Sequence, residues 1–130
     1  MNRYKQREQA FLLIFEELFT DETKETLCSL FEDNIEELGD YSKELFFGVS
    51  DNAQMLDGNI SEFSNGWRIQ RIPKVNVAIL RLAIYEIMFV DDVPSSVAVN
   101  EAVELAKKYS GKEDAAFING ILGSLIRSME

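Results

Sequence analysis

Histidine is absent from this 130-residue chain, and cysteine occurs once, at Cys28. Without histidine there are no histidine-based catalytic triads, no histidine general bases and no histidine-containing metal sites. The lone cysteine lies among Leu27, Leu30 and Phe31, so we expect a buried, unreactive thiol. The acidic segment DNIEE, which begins at Asp33, lacks the spacing of a calcium loop, and we expect no metal site. With no nucleophile–base pair and no phosphate-binding loop, the sequence does not indicate an enzyme.

Proline is also scarce, with two residues, and no low-complexity run marks a linker. We therefore expect a single domain over residues 1–130. The chain begins with a polar stretch instead of an apolar signal segment, and no apolar run approaches the ~20 residues that a bilayer requires. These features predict a cytoplasmic protein with no membrane association.

Positive charge is outnumbered, and the net charge is −10. This balance argues against non-specific affinity for nucleic acid, but the distribution is uneven. Residues 1–7 carry +3, residues 8–63 carry −13 and residues 64–130 are neutral overall. Basic groups cluster at 3–7, 68–81 and 107–112, which allows a local basic patch on an acidic body. The acids of the first half should form a solvated face; they include Glu16, Glu17, Asp21, Glu22, Glu32, Asp33, Glu36 and Glu37.

Apolar residues recur at helical spacing along the chain, and no period-2 stretch indicates a strand. The segment from Pro73 to Val90 is apolar nearly all round, which predicts a central helix covered by other helices. Ser95 or Ser96 is the expected N-cap of the helix that follows. The sequence therefore predicts an all-α fold of six or seven helices. The other helices are expected near 3–19, 24–33, 41–55, 95–111 and 112–128, with a short helix or turn at 59–66.

The second half of the chain carries an ordered set of motifs. They are Trp67, Arg71-Ile72, VAILRLAIYEI from Val77, VP at Val93-Pro94, VNEAVELAKKY from Val99 and FINGIL from Phe117. In this order and at this spacing, the set resembles the NusB family of bacterial transcription antitermination factors. The resemblance implies a seven-helix fold of two small helical subdomains around the central helix, with no enzymatic activity and no cofactor.

The resemblance also implies a function. Family members bind the boxA element of ribosomal-RNA leader transcripts, a single-stranded RNA, together with NusE, a small-subunit ribosomal protein. The complex helps RNA polymerase to read through terminators during ribosomal-RNA transcription. An alternative is a protein-interaction domain with the same fold and weak or no RNA binding. Some family members self-associate through the surface that RNA would use, so a homodimer is a further alternative.

Basic residues at the start of the first helix match the RNA-contacting segment of the family. They are Arg3, Lys5 and Arg7, and Tyr4 stands where the family often has another arginine. Lysine lacks the planar fork of arginine, so we expect weaker RNA binding than in relatives with adjacent arginines. The alternative is that these three charges only solvate the start of a helix.

A second RNA-contacting region is expected around the start of the last helix. It contains Lys108, Lys112, Phe117 and Asn119, with Lys107 and Ser110 beside them. Phe117 would stack on an unpaired base, or else pack in the core with Ile121 and Leu125. Asn119 would bind a base edge, or else form a hydrogen bond at a helix end or to another helix.

The NusE-binding surface of the family matches Phe15 and Glu86 by position, and Leu18 and Tyr85 are expected to join it as their neighbours. Phe15 stands where the family often has tyrosine. Because burial of a lone charge is costly, Glu86 must be exposed, paired or reserved for a partner. A pair with Arg81 on the same helix does not fit the five-residue spacing. The alternative to a partner contact is therefore a pair with a basic residue on another helix.

Overall fold

The structure, a computed structural model, describes residues 1–130 and contains seven α-helices and no β-strand. The all-α prediction is confirmed. A short 3₁₀ turn, Ile69–Arg71, lies before the fifth helix. The helices are α1 (Arg3–Glu17), α2 (Lys24–Asn34), α3 (Asp40–Asp51), α4 (Ala53–Phe63), α5 (Lys74–Phe89), α6 (Ser95–Tyr109) and α7 (Lys112–Ser128).

The central position of α5 follows from its composition. It packs against α1, α3, α4, α6 and α7, and the run from Asn76 to Leu80 is entirely buried. A helix that is apolar on nearly every side requires such cover. Its last turn is different, because Met88 and Phe89 are exposed. Pro73 occupies the N-cap position immediately before the helix, where its carbonyl accepts a hydrogen bond from the Val77 amide at 3.0 Å.

The helix predicted at 41–55 is divided in two, and this prediction was wrong. Asn52 ends α3 and precedes α4, with a φ of −116° and a ψ of 16°. Its side-chain amide donates to the Gly48 carbonyl at 2.7 Å, and its backbone amide donates to the same oxygen. Asn59, expected to begin a separate short helix or turn, lies inside α4. The apolar spacing continues across the break, so periodicity alone did not reveal it.

The N-cap expected at Ser95 or Ser96 was also wrong. Pro94 is the capping residue, and its carbonyl accepts from the amides of Val97 and Ala98. Ser95 is already helical, and no side chain caps α6.

The junction between α6 and α7 is a tight turn at Gly111, whose φ of +154° favours glycine. Its amide donates to Ala106 O and its carbonyl accepts from the Ala115 amide, so that Gly111 serves both helices. This turn brings the end of α6 next to the start of α7, where several of the candidate RNA residues lie.

One core of 33 buried apolar residues extends through the helices, and Cys28 is among them. None of the seven helices combines the length and hydropathy of a membrane-spanning segment.

Candidate nucleic-acid and partner interfaces

The first two basic side chains of α1 are exposed and are held by acids. The Arg3 guanidinium donates to both carboxylate oxygens of Asp92, at 3.3 and 3.1 Å, and lies 4.3 Å from the centroid of the Tyr41 ring. The Lys5 ammonium lies 3.3 Å from a carboxylate oxygen of Glu36. Exposed ion pairs of this kind contribute about 0–1 kcal/mol, so a phosphate can replace the carboxylate at little cost.

Arg7 is different, because it points inward. It is 6% exposed, and its Nε donates to the two carboxylate oxygens of Glu86 at 2.9 and 2.8 Å. Glu86 is 1% exposed and also accepts a hydrogen bond from the Tyr41 hydroxyl at 2.5 Å. Burial, and then this bond to a carboxylate, raise the pKa of Tyr41 well above its ordinary value. The three groups form a charged network between α1, α3 and α5.

This network corrects two expectations from the sequence. Arg7 does not offer its guanidinium to solvent, and Glu86 does not offer its carboxylate to a partner, because each satisfies the other inside the protein. The alternative, a pair with a basic residue on another helix, is the arrangement that the structure contains. Each buried charge requires a partner of opposite sign, and Arg7 and Glu86 supply it for each other although they are 79 residues apart in the sequence.

The end of α6 is tied to α1 through Glu8. One oxygen of Glu8 accepts from the Lys108 ammonium at 2.5 Å and from the Tyr109 hydroxyl at 2.8 Å. Burial opposes ionisation of Glu8, but the bonds from Lys108 and Tyr109 outweigh it and lower the pKa of this carboxyl. The Tyr109 ring also packs against Phe11, with the centroids 4.9 Å apart. Sequence reasoning missed Tyr109, although an aromatic residue directly after two lysines at a helix end was an available signal.

The remaining candidates for RNA contact lie on α7. Lys112 is exposed and forms no ion pair, and Asn119 is exposed with no side-chain hydrogen bond. The alternative reading of Asn119, a hydrogen bond at a helix end or to another helix, is not what the structure contains. Phe117 is half-buried and meets the edge of the Trp67 ring, with the centroids 6.2 Å apart. Phe117 is therefore not a core residue, and only part of its ring is accessible to a base.

Three of the five basic side chains without an ion pair line depressions that also contain Trp67. Eight of the thirteen Lys and Arg residues lie within an ion pair, among them every basic residue of α1. Sequence reasoning noted a basic cluster at 68–81 but assigned it no role. The residues without an ion pair are Arg68, Arg71, Lys74, Lys112 and Arg127.

Two exposed aromatic surfaces are candidates for a protein partner. On the first, Phe15 packs against the exposed ring of Phe19, with the centroids 5.0 Å apart, and half-buried Leu18 follows. On the second, Tyr85 stacks on the exposed ring of Phe89, also at 5.0 Å. Exposed aromatic clusters of this kind are typical of interaction sites.

The position of Tyr85 depends on a glycine. A Cβ at Gly48 would lie 2.2 Å from the Tyr85 ring, so the ring packs directly on the backbone of α3. Only glycine allows this approach. Of the four expected partner residues, Phe15, Leu18 and Tyr85 are half-buried, with part of each side chain accessible, and Glu86 is not.

The acids of the first half are mainly solvent-exposed, as the sequence indicated, and some of them accept hydrogen bonds from elsewhere in the chain. Glu32, for example, accepts from the Leu38 amide at 3.0 Å, and Glu17 accepts from the Ser50 hydroxyl at 2.8 Å. No group of three or more side chains is arranged to hold a metal ion.

Comparison with known proteins gives consistent matches over nearly the whole chain. A sequence model of the NusB family matches residues 4–127. The transcription antitermination protein NusB of Acetivibrio thermocellus is 47% identical over 130 residues, covering 98% of this chain and 90% of that protein. Among solved structures, T. maritima NusB has a TM-score of 0.86 and 31% identity, covering 98% of this chain and 92% of that chain. A crystal structure of the antitermination factors NusB and NusE with double-stranded RNA has a TM-score of 0.84 and 25% identity, covering 98% and 99%.

Proposed function

The chain belongs to the NusB family of transcription antitermination proteins, and on this basis we propose that it binds single-stranded RNA of the boxA type together with a NusE-type ribosomal protein. In this role it acts in the cytoplasm within an RNA polymerase antitermination complex and supports transcription of ribosomal RNA. A related protein forms a complex with NusE and double-stranded RNA.

The observation that carries the RNA part of this proposal is a connected series of basic and aromatic side chains. Contacts link the start of α1 to the end of α6 through Glu8 and Tyr109, and link α6 to α5 through Ser110 and Asn76. Phe117 and Trp67 contact each other and line one cavity with Asn76, which extends the series. The basic groups along it are Arg3, Lys5, Lys108, Lys112, Arg68 and Arg71.

Single-stranded RNA suits this surface better than a duplex. Tyr109, Phe117 and Trp67 present aromatic groups that are exposed or half-buried, and stacking on such groups requires unpaired bases. Asn119 lies on a different face of α7 from Phe117, and its exposed amide, which has no hydrogen-bond partner in the chain, is suited to the edge of a base.

Arg7 and Glu86 have positioning roles in this proposal. Their buried pair joins α1 to α5, and the Tyr41 hydroxyl joins α3 to the same carboxylate. The pair therefore holds the start of α1, with Arg3 and Lys5, in a defined orientation without contact to RNA or to the partner.

The partner surface comprises Phe15, Leu18 and Tyr85, with Phe19 and Phe89 beside them. NusE-type proteins are basic, and the acidic residues of the first half provide a complementary field that speeds encounter. Apolar contacts with the exposed rings then provide the short-range specificity.

Fluorescence anisotropy with labelled RNA tests the proposal. A boxA-type RNA, a scrambled RNA and a duplex are each titrated with the chain, with and without a NusE-type protein, at two salt concentrations. We expect the boxA-type RNA to bind more tightly than the other two, with tighter binding when the partner is present and weaker binding at high salt. Arg3→Ala and Lys108→Ala should weaken binding, whereas Lys43→Ala, an equal charge change on α3 beside Glu32, should not.

A second candidate function is a protein-interaction domain with little RNA affinity. It is favoured by one observation, that acids hold every basic side chain at the start of α1. Partner binding with no discrimination between the three RNAs would establish this alternative. A concentration-dependent dimer in gel filtration that RNA does not dissociate would also count against the RNA-binding proposal.

A further inference from the structure

Tyr41, the second residue of α3, contacts groups that belong to two different candidate surfaces. It is 8% exposed, and the sequence assigned it no role. Its ring lies against the Arg3 guanidinium, 4.3 Å from the ring centroid, and its hydroxyl donates to Glu86 at 2.5 Å. Arg3 belongs to the candidate RNA surface, whereas Glu86 directly follows Tyr85 of the candidate partner surface. One buried side chain therefore reaches toward both.

The same helix also carries the seat of the Tyr85 ring. This ring packs directly on the backbone of α3 at Gly48, where any side chain would collide with it. Gly48 follows Tyr41 by seven residues, so the two positions lie on one face of α3, about two turns apart. A helix of this length is stiff. A change in how Tyr85 sits on α3 is therefore passed along the helix to Tyr41.

The start of α3 is fixed to α1 by hydrogen bonds that replace an ordinary cap. Gly39, the capping residue, has no side chain to offer. The Tyr41 amide donates instead to Gln6 Oε1 at 2.9 Å, and Gln9 Oε1 accepts from the Gly39 amide at 3.1 Å and from the Ser42 hydroxyl at 2.7 Å. Because buried polar bonds are directional, the first turns of α1 and α3 form one mechanical unit.

Arg3 is the adjustable end of this unit. Its side chain is 43% exposed and is held only by the Tyr41 ring and by Asp92, which is itself 71% exposed. A long side chain loses conformational freedom when it binds a phosphate, and a side chain that a ring already holds loses less. Anything that fixes the Tyr41 ring more firmly therefore favours RNA binding by Arg3.

We propose that Tyr41 is a positioning residue that couples partner binding to RNA binding within the chain, an inference that rests on the RNA and partner functions proposed above. A NusE-type protein that contacts Tyr85 fixes this ring on Gly48, and so orders α3, Tyr41 and then Arg3 before RNA arrives. By linkage, RNA at Arg3 raises the affinity for the partner by the same factor. This part of the coupling needs no contact between RNA and the partner.

A thermodynamic cycle measures the coupling. The coupling factor is the ratio of the dissociation constants of boxA-type RNA without and with saturating NusE-type protein, measured by anisotropy, and calorimetry of the partner without and with RNA must return the same factor. We expect a factor of about five or more for the wild type. Tyr41→Phe keeps the ring at Arg3 and removes the bond to Glu86, which retains Arg7. It should leave each separate affinity within about twofold and lower the coupling factor about threefold or more.

Two further variants locate the effect. Tyr109→Phe is the matched control, because it also removes a hydroxyl that donates to a carboxylate, Glu8 at 2.8 Å, but on α6 instead of α3. Whatever it does to RNA affinity, its coupling factor should equal that of the wild type. Arg3→Ala/Tyr41→Phe should lose no more coupling than Arg3→Ala alone, because both changes interrupt the same route.

NMR of the guanidinium of Arg3 tests the route without RNA. The labelled chain is observed with and without unlabelled NusE-type protein. Because Arg3 lies against an aromatic ring, its signals report on the position of that ring. We expect the partner alone to shift them in the wild type and not in Tyr41→Phe. Equal shifts in both proteins would show that the partner acts on Arg3 by another path, and would overturn the proposal.

The possible failures differ from one another. If RNA or the partner does not bind the wild type at all, the proposed function is wrong, and this inference with it. If both bind and Tyr41→Phe retains the wild-type coupling factor, the coupling arises from contacts between partner and RNA, so the role of Tyr41 is refuted and the function stands. An equal loss of coupling in Tyr109→Phe would also refute it, because the effect would then be a general loosening.

Discussion

Asp92 and Glu36 hold the two exposed basic side chains of α1, and their removal should strengthen RNA binding. Arg3 forms a two-bond pair with Asp92, and Lys5 pairs with Glu36. Asp92 is 71% exposed in its side chain and forms no other side-chain contact of this kind, so Asp92→Asn should leave the fold intact. In the double variant Asp92→Asn/Glu36→Gln, both cations are free to meet phosphate without first leaving a carboxylate.

The expected size of the effect follows from the exposure of these pairs. Exposed ion pairs are worth about 0.2–1 kcal/mol each, and a difference of about 1.4 kcal/mol is a factor of ten in affinity. Release of one pair should therefore raise RNA affinity by a factor between about 1.4 and 5, and release of both by a factor between about 2 and 30. The gain should decline as salt rises, because screening weakens both the ion pairs and the phosphate contacts.

The assay is anisotropy of labelled boxA-type RNA at low and physiological salt. The double variant also moves the net charge from −10 to −8, which by itself favours RNA, so a matched control is needed. Asp91→Asn/Asp33→Asn makes the same change at two exposed acids that form no ion pair. Wild-type affinity in the double variant, or an equal gain in the control, would refute a role for the start of α1 in RNA binding.

Three other variants test the remaining contacts. Arg7→Met should lower the free energy of unfolding by about 3–5 kcal/mol in urea titrations, because Glu86 is left buried and unpaired. The double variant Arg7→Met/Glu86→Leu should recover most of this loss. A loss below about 1 kcal/mol for the single variant would contradict the prediction. Gly48→Ala should displace the Tyr85 ring and lower the stability by about 1–3 kcal/mol. It should also lower the affinity for the NusE-type protein, measured by calorimetry. Unchanged partner affinity would exclude Tyr85 from that interface. Glu8→Gln should be less stable than the wild type at pH 7. Because folding lowers the pKa of Glu8, the difference in stability should shrink as the pH falls below the ordinary pKa of 4.5. A difference that stays constant down to pH 3 would refute the ion pair.

Helical structure was predictable because its signal is local. The apolar spacing of α1, α6 and α7 repeats every three or four residues, and the predicted boundaries agree with the structure within about two residues. The central helix was equally clear, since a segment without a polar face has to be enclosed. The motif set from Trp67 to Leu122 added the family, and so the expectation of RNA and of a NusE-type partner.

Pairings between distant residues were not predictable in the same way. The charge of Glu86 required a partner, but nothing in the local pattern identified Arg7, which is 79 residues away. The basic start of α1 was therefore expected to present all three cations to solvent, whereas the structure turns Arg7 inward and leaves Arg3 and Lys5 outside. Asn76 stood out in the sequence as a polar amide inside an apolar helix. Its burial beside α7 and the Trp67 loop could not be predicted, because it depends on how α5 packs against these elements.

Amide hydrogen exchange of the full chain, alone, with a NusE-type protein and with both the protein and boxA-type RNA, tests the central claim most directly. The account expects the partner to protect the C-terminal half of α1 and the last turns of α5, around Phe15 and Tyr85. Addition of RNA should then protect a different set, the start of α1, the junction of α6 with α7 and the loop at Trp67. Protection of the acidic α2 by RNA, or no added protection at the Trp67 loop and the α6–α7 junction, would contradict it.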